Sequence, residues 1–356
     1  MIKPLTSLRF IFALMVFFSH LGLLFDDLDS NFLKDSMAKY IYMPEGYIGV
    51  SFFFILSGFV LSYSYKERII NGEVSFKNFM IARFARIYPL HVVTLLFAFL
   101  MSVFYVEDIF LFIQKTIVNL FLVQSFVPSR SFYFSFNGVS WSISNEMFFY
   151  FLLPFLLIFI SKAIKNVKII TATLFIPILI LFLFKDSSNS YWIFNINPFF
   201  RLFDFIIGIL LYEVFNKFMK VNLSRYLFSL IELGAIIVFI LFFLFRQNIH
   251  QSYLYSVYYW IPMSIIIFVF AFQKGVISSI LSHRFLIYLG EISFAFYMIH
   301  QLVIKVFWAI NLKLNLVTNG YLLIALAFLL SLIGAGVANK IIEKPLNHFF
   351  RNKYIK

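Results

Sequence analysis

The sequence predicts an all-α membrane protein: a polytopic bundle of ten transmembrane helices with both termini in the cytoplasm. Of the 356 residues, 62% are hydrophobic and only 13% are charged. Soluble domains average about half apolar and about a quarter charged residues, so a soluble fold would leave far too much apolar surface in water. The composition therefore excludes a soluble globular protein and an intrinsically disordered chain.

Ten apolar runs predict the membrane-spanning helices, because a spanning helix needs about 20 mostly apolar residues. The runs cover residues 5–25, 45–65, 87–106, 144–161, 167–184, 198–216, 226–245, 254–273, 287–310 and 319–342. A further apolar stretch at 109–126 contains Gln114, Lys115, Asn119 and Gln124, so it predicts a buried partial helix. No stretch is typical of a separate soluble domain, and residues 1–356 are interpreted as one transmembrane domain.

Basic residues orient the bundle, since cytoplasmic loops of membrane proteins are enriched in Lys and Arg. The predicted inner segments contain Lys66, Arg68, Lys77, Arg83, Arg86, Lys162, Lys165, Lys168, Lys217, Lys220, Arg225, Lys274, Arg284, Lys344, Arg351, Lys353 and Lys356. The first outer loop instead contains Asp26, Asp27, Asp29, Asp35 and Glu45. Topology thus explains the net charge of +13, and we expect no nucleic-acid partner.

The apolar N-terminus lacks a small-residue cleavage pattern, so it predicts a retained first helix.

The remaining composition narrows the chemistry. The chain has no cysteine, which excludes disulfides, thiol catalysis and Cys–zinc sites, and we expect no metal and no tightly bound cofactor. The 53 Phe residues are typical of lipid-facing helices and AT-rich coding DNA. Aromatic residues near the predicted outer face are interpreted as an interfacial belt, with sugar stacking as the alternative. They are Trp141, Tyr191, Trp192, Tyr258, Tyr259 and Trp260.

Arg9 and His20 are the first candidate functional residues, because ionisable side chains inside a bilayer are costly and mark functional sites. They are eleven residues apart, close to three helical turns, so they share one face and lie about 16 Å apart along the axis. The structural alternatives are a snorkelling anchor for Arg9 and a hydrogen-bonded core histidine for His20.

Three more charged residues lie near predicted span ends. Arg83 and Arg86 are three residues apart, so they share a helical face and can clamp a phosphate through forked hydrogen bonds. A topology signal that contacts lipid headgroups is the alternative. Glu146 opens the fourth span, where the helix dipole alone also favours a carboxylate.

Further polar residues lie in the C-terminal half of the chain. Arg201 and Asp204 are three residues apart and predict a structural ion pair. Glu232 has no evident partner in the sequence. His300 lies in the middle of the ninth span, where a packed core histidine is the simpler interpretation, and Lys305 is expected to extend to the outer interface.

An ordered set of motifs resembles the acyltransferase-3 family of bacterial integral-membrane acyltransferases. The motifs are Arg9 with His20 in an Arg-x10-His pattern, Gly46-Tyr47-Ile48-Gly49, Ile55-Leu56-Ser57-Gly58-Phe59, Arg83-Phe84-Ala85-Arg86-Ile87-Tyr88-Pro89, Trp141-Ser142-Ile143-Ser144-Asn145-Glu146, Arg201 with Phe205 and Gly208, Leu289-Gly290-Glu291-Ile292-Ser293 with Tyr297 and His300, and Glu343-Lys344-Pro345. They run in family order along the chain. The resemblance implies transfer of an acyl group, usually acetyl from acetyl-CoA, to a glycan at the bacterial cytoplasmic membrane.

The resemblance leaves the acceptor and the final transfer step open. The family's usual acceptors are exopolysaccharide, capsule, O-antigen or a lipid-linked sugar. Fused members of the family carry an extracytoplasmic SGNH-type domain, and we expect none in this chain. A separate extracytoplasmic protein that completes the transfer stays open as a partner, beside acyl-CoA, the glycan and membrane lipids.

The predicted positions of the charges fit this chemistry. Arg9, Arg83 and Arg86 form a basic mouth at the cytoplasmic side, suited to the phosphates of acyl-CoA. The pantetheine arm has a length on the order of the Arg9–His20 separation of about 16 Å. Histidine titrates near neutral pH, so His20 is the predicted general base for a sugar hydroxyl, with an acyl-histidine intermediate as the other route. Glu146 is predicted at a similar depth, where it would orient His20 or bind the acceptor.

Four other residues are predicted to line the cavity or contact the acceptor: Ser57, Trp141, Tyr297 and His300. Ser57-Gly58 also fits a site of close helix packing.

The main alternative function is a polytopic transporter or flippase of a glycan or small anionic solute, since intramembrane charges also mark transport paths. The sequence shows no inverted repeat and no paired Gly/Pro-broken spans, which argues against transport.

Overall fold

The computed structural model describes residues 1–24, 43–163 and 166–354. It is 84% helical and has no strand in these ranges, in agreement with the all-α prediction. The acidic outer-loop residues Asp26, Asp27, Asp29 and Asp35 lie outside the described residues, as do Lys165 and Lys356.

In the described ranges, twelve helices of eleven or more residues form the fold. They are α1 Lys3–His20, α2 Tyr47–Ile70, α3 Phe76–Ser102, α4 Ile109–Leu120, α5 Trp141–Ala163, α6 Val167–Phe184, α7 Pro198–Phe218, α8 Arg225–Phe245, α9 Trp260–Ala271, α10 Arg284–Leu314, α11 Gly320–Ala338 and α12 Lys344–Tyr354. Shorter helical segments connect them: Leu21–Leu24, Val103–Tyr105, Gln124–Phe126, Arg130–Tyr133, Gly138–Ser140, Trp192–Ile196, Arg246–Asn248, Gln251–Leu254, Val257–Tyr259, Val276–Leu281 and Asn339–Glu343.

The apolar helices make the chain a multi-pass membrane protein. Within the described residues, six are long and apolar enough to cross a bilayer: Tyr47–Ile70, Phe76–Tyr105, Gly138–Ala163, Arg225–Asn248, Arg284–Leu314 and Gly320–Tyr354. The other predicted spans also contain helices, but these are short, as in α9, or carry charges, such as Arg9 in α1 and Arg201 in α7. The ten-span count and the cytoplasmic termini stay predictions. The predicted partial helix at 109–126 contains α4, but the prediction that it is buried is wrong, because Asn119 is the one buried residue of α4.

Helices α2 and α10 lie at the centre of the bundle. In the most apolar 18-residue stretch of each helix, 67% of the residues are buried inside the protein. The corresponding share for the peripheral segment 225–248 is 17%. Helix α1 packs against α10 and α2, α2 packs against α7, and α10 packs against α11. This packing brings polar residues of α1, α2 and α10 around one cavity, which is described below.

Helices α2 and α7 approach most closely at Gly58 and Gly208. A Cβ atom at Gly58 would lie 2.1 Å from the carbonyl oxygen of Phe205, and one at Gly208 would lie 2.0 Å from that of Ile55. Small residues permit this backbone approach between membrane helices. The contact therefore gives Gly58 the packing role that the Ser57-Gly58 pair predicts.

Substitution of Gly208 by alanine is expected to destabilise the protein, because the added methyl group meets backbone atoms that have no rotamer to change. Overpacking of this kind costs about 1–3 kcal/mol, which should lower the thermal unfolding midpoint in detergent. Gly234→Ala in α8 is the matched control, since a Cβ there meets nothing within 4 Å. Equal midpoints for the two variants would contradict the close contact.

Arg201 and Asp204 form a buried ion pair, with Nη2 and Oδ2 3.0 Å apart and both side chains fully shielded from solvent. Arg201 Nη2 also donates a 3.0 Å hydrogen bond to Ser51 Oγ. Asp204 accepts hydrogen bonds from Ser256, at 2.5 Å, and from the Trp260 indole. The pair thus joins α2, α7 and the start of α9, which is a structural role.

Glu232 does have partners, which lie far from it in sequence. Its carboxylate accepts hydrogen bonds from the backbone N–H groups of Gly275, Ile277 and Ser278, at 3.0, 2.9 and 3.1 Å. These are donors at the start of Val276–Leu281, which have no partner inside that helix. Glu232 therefore caps a helix, and sequence spacing alone does not reveal this contact.

The aromatic-belt interpretation is wrong for Trp141, Tyr259 and Trp260, because all three are buried inside the protein. Trp141 packs edge-on against Phe54, with ring centroids 6.4 Å apart. Trp260 donates to the buried Asp204 carboxylate. These rings are therefore part of the core and not of a lipid-facing girdle.

Candidate active site

A cavity of about 610 Å³ lies between α1, α2, α3, α5 and α10, near Met1 and the start of α12. We call it the arginine cavity. Its charged lining residues are Arg9, Arg83, Arg86, Lys344, Glu146, Glu291 and Glu343. It thus unites four sequence-predicted charged residues, together with Ser57 and Tyr297.

Arg9 lies half-buried in this cavity, two turns into α1. Arg86, Glu146 and Glu343 lie close enough to interact with its charge. Within the described residues, however, no carboxylate forms an ion pair with it. A guanidinium that is partly removed from water and has no direct acidic partner attracts an anionic ligand.

Arg83 and Arg86 both reach the arginine cavity, as their spacing of three residues predicts. Arg83 Nη2 donates a 3.1 Å hydrogen bond to the Tyr65 hydroxyl. Its guanidinium lies over the rings of Tyr65 and Tyr150, 5.3 and 5.9 Å from their centroids. These contacts orient Arg83, and the convergence of arginines from α1 and α3 fits a phosphate group.

Glu146 lies in the wall of the arginine cavity, against α2. It accepts hydrogen bonds from the Tyr150 hydroxyl at 2.5 Å and from Ser57 Oγ at 3.3 Å. These contacts join Glu146 to α2 and Tyr150, and His20 is not among the lining residues of this cavity. The predicted roles of Glu146, orienting His20 or binding the acceptor, stay predictions. Sequence reasoning missed Tyr150, although its i, i+4 spacing from Glu146 was an available signal.

The partner of His20 is His300. His20 Nδ1 lies 3.0 Å from His300 Nε2. The two rings are tilted relative to each other, and their centroids are 5.0 Å apart. His20 ends α1, and His300 is fully buried in the middle of α10. The extensive packing of α1 on α10 joins residues that are 280 positions apart in sequence.

The backbone contacts favour one tautomer for each histidine of the neutral pair. His20 Nδ1 lies 2.9 Å from the Val16 carbonyl oxygen, and His300 Nδ1 lies 3.1 Å from that of Phe296. Because a carbonyl oxygen only accepts, these contacts favour a proton on each Nδ1. The single Nδ1–H of His20 is then shared between the Val16 carbonyl oxygen and Nε2 of His300, and Nε2 of His20 keeps a lone pair. That nitrogen has no hydrogen bond within the described residues.

Tyr297 separates the arginine cavity from the histidine pair. It lines the cavity, and its ring centroid lies 6.0 Å from that of His300. Its hydroxyl forms a 2.7 Å hydrogen bond with Ser142 Oγ. His300 and Trp141 were also predicted to line the cavity, but neither does, because both side chains are buried behind its wall.

The C-terminal segment supplies lining residues to which the sequence motifs gave no role. Lys344 and Glu291 face each other at 3.9 Å. Asn339 Nδ2 donates a 3.0 Å hydrogen bond to Glu343 Oε2. The helix α12 and the preceding turn pack on α3, and Asn339 and Glu343 line the same cavity as Arg9. Sequence order does not show this proximity.

The fold and site define a multi-pass helical membrane protein with a basic cavity beside a buried histidine pair. The chain belongs to the acyltransferase-3 family, whose model, described as an acyltransferase domain, matches residues 3–339. No solved structure gives a significant match.

Several relatives show the extent of the similarity. An acyltransferase of Streptomyces mycarofaciens is 34% identical over 166 residues, which cover 43% of this chain and 38% of that protein. A Staphylococcus aureus protein named "Putative O-acetyltransferase" is 25% identical over 357 residues, covering 88% of this chain and 54% of its own length. An uncharacterised protein of Haemophilus influenzae is 28% identical over 222 residues, which cover 55% of this chain and 87% of that protein. The chain thus spans about half or less of the two named relatives.

Proposed function

We propose that this protein is an O-acyltransferase of the bacterial inner membrane. It transfers an acyl group, most simply acetyl, from cytoplasmic acyl-CoA to a hydroxyl of a cell-surface or lipid-linked glycan. Family membership supports acyl transfer. The S. aureus relative's printed name supports an oxygen acceptor.

The observation that carries the proposal is the arrangement of Arg9, Arg83 and Arg86 around one cavity at the start of the helix that ends in His20. With ten spans and cytoplasmic termini, this cavity opens to the compartment where acyl-CoA is made. Its arginines bind the donor phosphates. Helix α1 is continuous from Lys3 to His20, so the reacting thioester lies about 16 Å further along the axis.

In the proposed reaction, the lone pair of His20 Nε2 takes the proton of the acceptor hydroxyl. The hydroxyl oxygen attacks the thioester carbonyl carbon, the C–S bond breaks, and the CoA thiolate leaves. His20 then returns its proton to the thiolate, which gives CoA and the acylated glycan. His300 accepts a hydrogen bond from His20 Nδ1 throughout, and this bond strengthens as positive charge develops on His20.

The test of the function uses purified protein in detergent, radiolabelled acetyl-CoA and de-O-acetylated surface polysaccharide of the producing bacterium. We expect label on the polysaccharide as an alkali-labile ester. A parallel assay uses the same protein reconstituted in proteoliposomes. Movement of polysaccharide across these membranes, together with no labelling in detergent, would overturn the proposal in favour of transport.

Loss of the two α3 arginines should weaken donor binding through its phosphates. Each charge-assisted hydrogen bond contributes about 1.5–3 kcal/mol, so Arg83→Gln with Arg86→Gln should lower acetyl-CoA affinity by about 100-fold or more, measured by calorimetry. Acetyl-pantetheine, which has no phosphate, should lose little affinity. Lys77→Gln, an exposed change on the same helix, is the control. Equal losses for both donors would show that the arginines do not bind phosphate.

A further inference from the structure

A second cavity, of about 340 Å³, lies between the end of α3, helix α4 and the later half of α10. We call it the lysine cavity. Its lining residues are Ala98, Met101, Ser102, Tyr105, Phe112, Lys115, Ser131, Ser135, Phe136, Leu302 and Lys305. Two lysines and four hydroxyl groups therefore face one concavity, and none of the acidic residues that the structure describes lines it.

The order of residues along α10 places the histidine pair between the two cavities. Ser293 and Tyr297 line the arginine cavity, and Leu302 and Lys305 line the lysine cavity. His300 lies between them, with Lys305 about 7.5 Å further along the axis. The charge of Lys305 also acts on His20. A ligand in the lysine cavity is therefore on the opposite side of His20 from the donor.

Topology does not account for these two lysines. In the ten-span orientation they lie toward the outer face, where the positive-inside rule gives no reason for basic residues. Two other basic residues of this side have acidic neighbours: Arg246 pairs with Glu45 at 2.8 Å, and Lys185 lies 4.0 Å from Asp186. Lys115 and Lys305 are half-buried and have no ion pair in the described part of the chain. Lys305 thus lines a cavity of the protein, and its extension to the outer interface stays a prediction.

One wall of the lysine cavity is aromatic and its backbone is constrained. Phe136 adopts φ of +56°, a conformation that non-glycine residues rarely adopt and that persists where surrounding packing holds it. Its ring packs against Phe99 and Phe112, with centroids 6.1 and 5.4 Å away. Flat apolar rings beside hydroxyl and ammonium groups suit a sugar ring that carries a charge.

We infer that the lysine cavity is the acceptor site and that it selects a sugar bearing an anionic group, a carboxylate or a phosphate, near the hydroxyl that is acylated. This inference rests on the proposed function, since it places the acceptor opposite the donor at His20. The lysines bind the anion, and the aromatic wall contacts the sugar ring.

The test measures binding of three probes to the full chain in detergent: methyl glucuronide, glucose 1-phosphate and the neutral methyl glucoside. We expect at least one anionic probe to bind about tenfold more tightly than the neutral one, as one charged contact provides. Lys115→Gln and Lys305→Gln should each remove most of that preference. Lys313→Gln, exposed at the end of α10, should leave it unchanged. The two anionic probes distinguish a sugar acid from a sugar phosphate.

Equal binding of charged and neutral probes, or no binding of either anionic probe, overturns the inference. So does a preference that survives Lys305→Gln. Acetyl-CoA affinity is measured on the same preparations. If acetyl-CoA binds while the anion preference is absent, only the acceptor assignment fails. If acetyl-CoA does not bind to the unaltered protein, the proposed function itself fails.

Discussion

Replacement of His20 by alanine is expected to lower kcat for acetyl transfer by about 10²–10⁴-fold, the usual contribution of a general base. Acetyl-CoA affinity should stay the same, because His20 does not line the arginine cavity that holds the donor phosphates. The measurement is the transfer rate at saturating acetyl-CoA, with donor affinity determined calorimetrically on the same preparation.

His348→Ala is the matched control, since His348 is exposed on α12 and, among the described residues, hydrogen-bonds to Asn352 alone. Its activity should equal that of the unaltered protein. A His20→Ala variant that folds and transfers acetyl at the normal rate would remove His20 from the reaction. A stable acetyl label on His20 in the unaltered protein would instead favour the acyl-histidine route over direct attack.

The fold class is predictable from the sequence because apolar composition and run length are local properties. The same runs that predict spans contain the helices of the structure, and α4 lies in the predicted partial helix. Contacts between distant segments are not local. Glu232 therefore showed no partner in sequence, although three backbone N–H groups more than 40 positions away bind it.

In the candidate active site, too, the features that depend on one helix are predictable, whereas contacts between helices are not. Helical periodicity predicts that Arg83 and Arg86 share a face, and both line the arginine cavity. Periodicity within one helix does not show how deep a residue lies relative to residues of other helices, so the sequence does not predict that Glu146 shares a cavity with Arg9. The neighbour of His20 comes from α10, through packing that depends on Gly290, where a Cβ would lie 1.9 Å from the Thr6 carbonyl oxygen.

Replacement of His300 should slow the chemical step by about 10–100-fold, because it removes a charge-assisted hydrogen bond of about 1.5–3 kcal/mol from the His20 imidazolium. In the neutral state, the Val16 carbonyl alone can hold the proton on His20 Nδ1. The contribution of His300 therefore grows as His20 becomes charged, so it acts on kcat and not on donor binding. His300 is thus a positioning residue that acts through His20.

Two substitutions separate this role from simple packing. His300→Phe keeps a ring beside Phe17 and Phe296, which flank His300 at centroid distances of 6.1 and 5.9 Å, but it provides no acceptor. His300→Gln fits the ring space less well and supplies an amide oxygen that accepts a hydrogen bond. If the acceptor matters, Gln retains more of kcat than Phe, while both keep the KM for acetyl-CoA. If packing matters, the order reverses, because Phe then replaces the ring and Gln leaves a gap between aromatic neighbours.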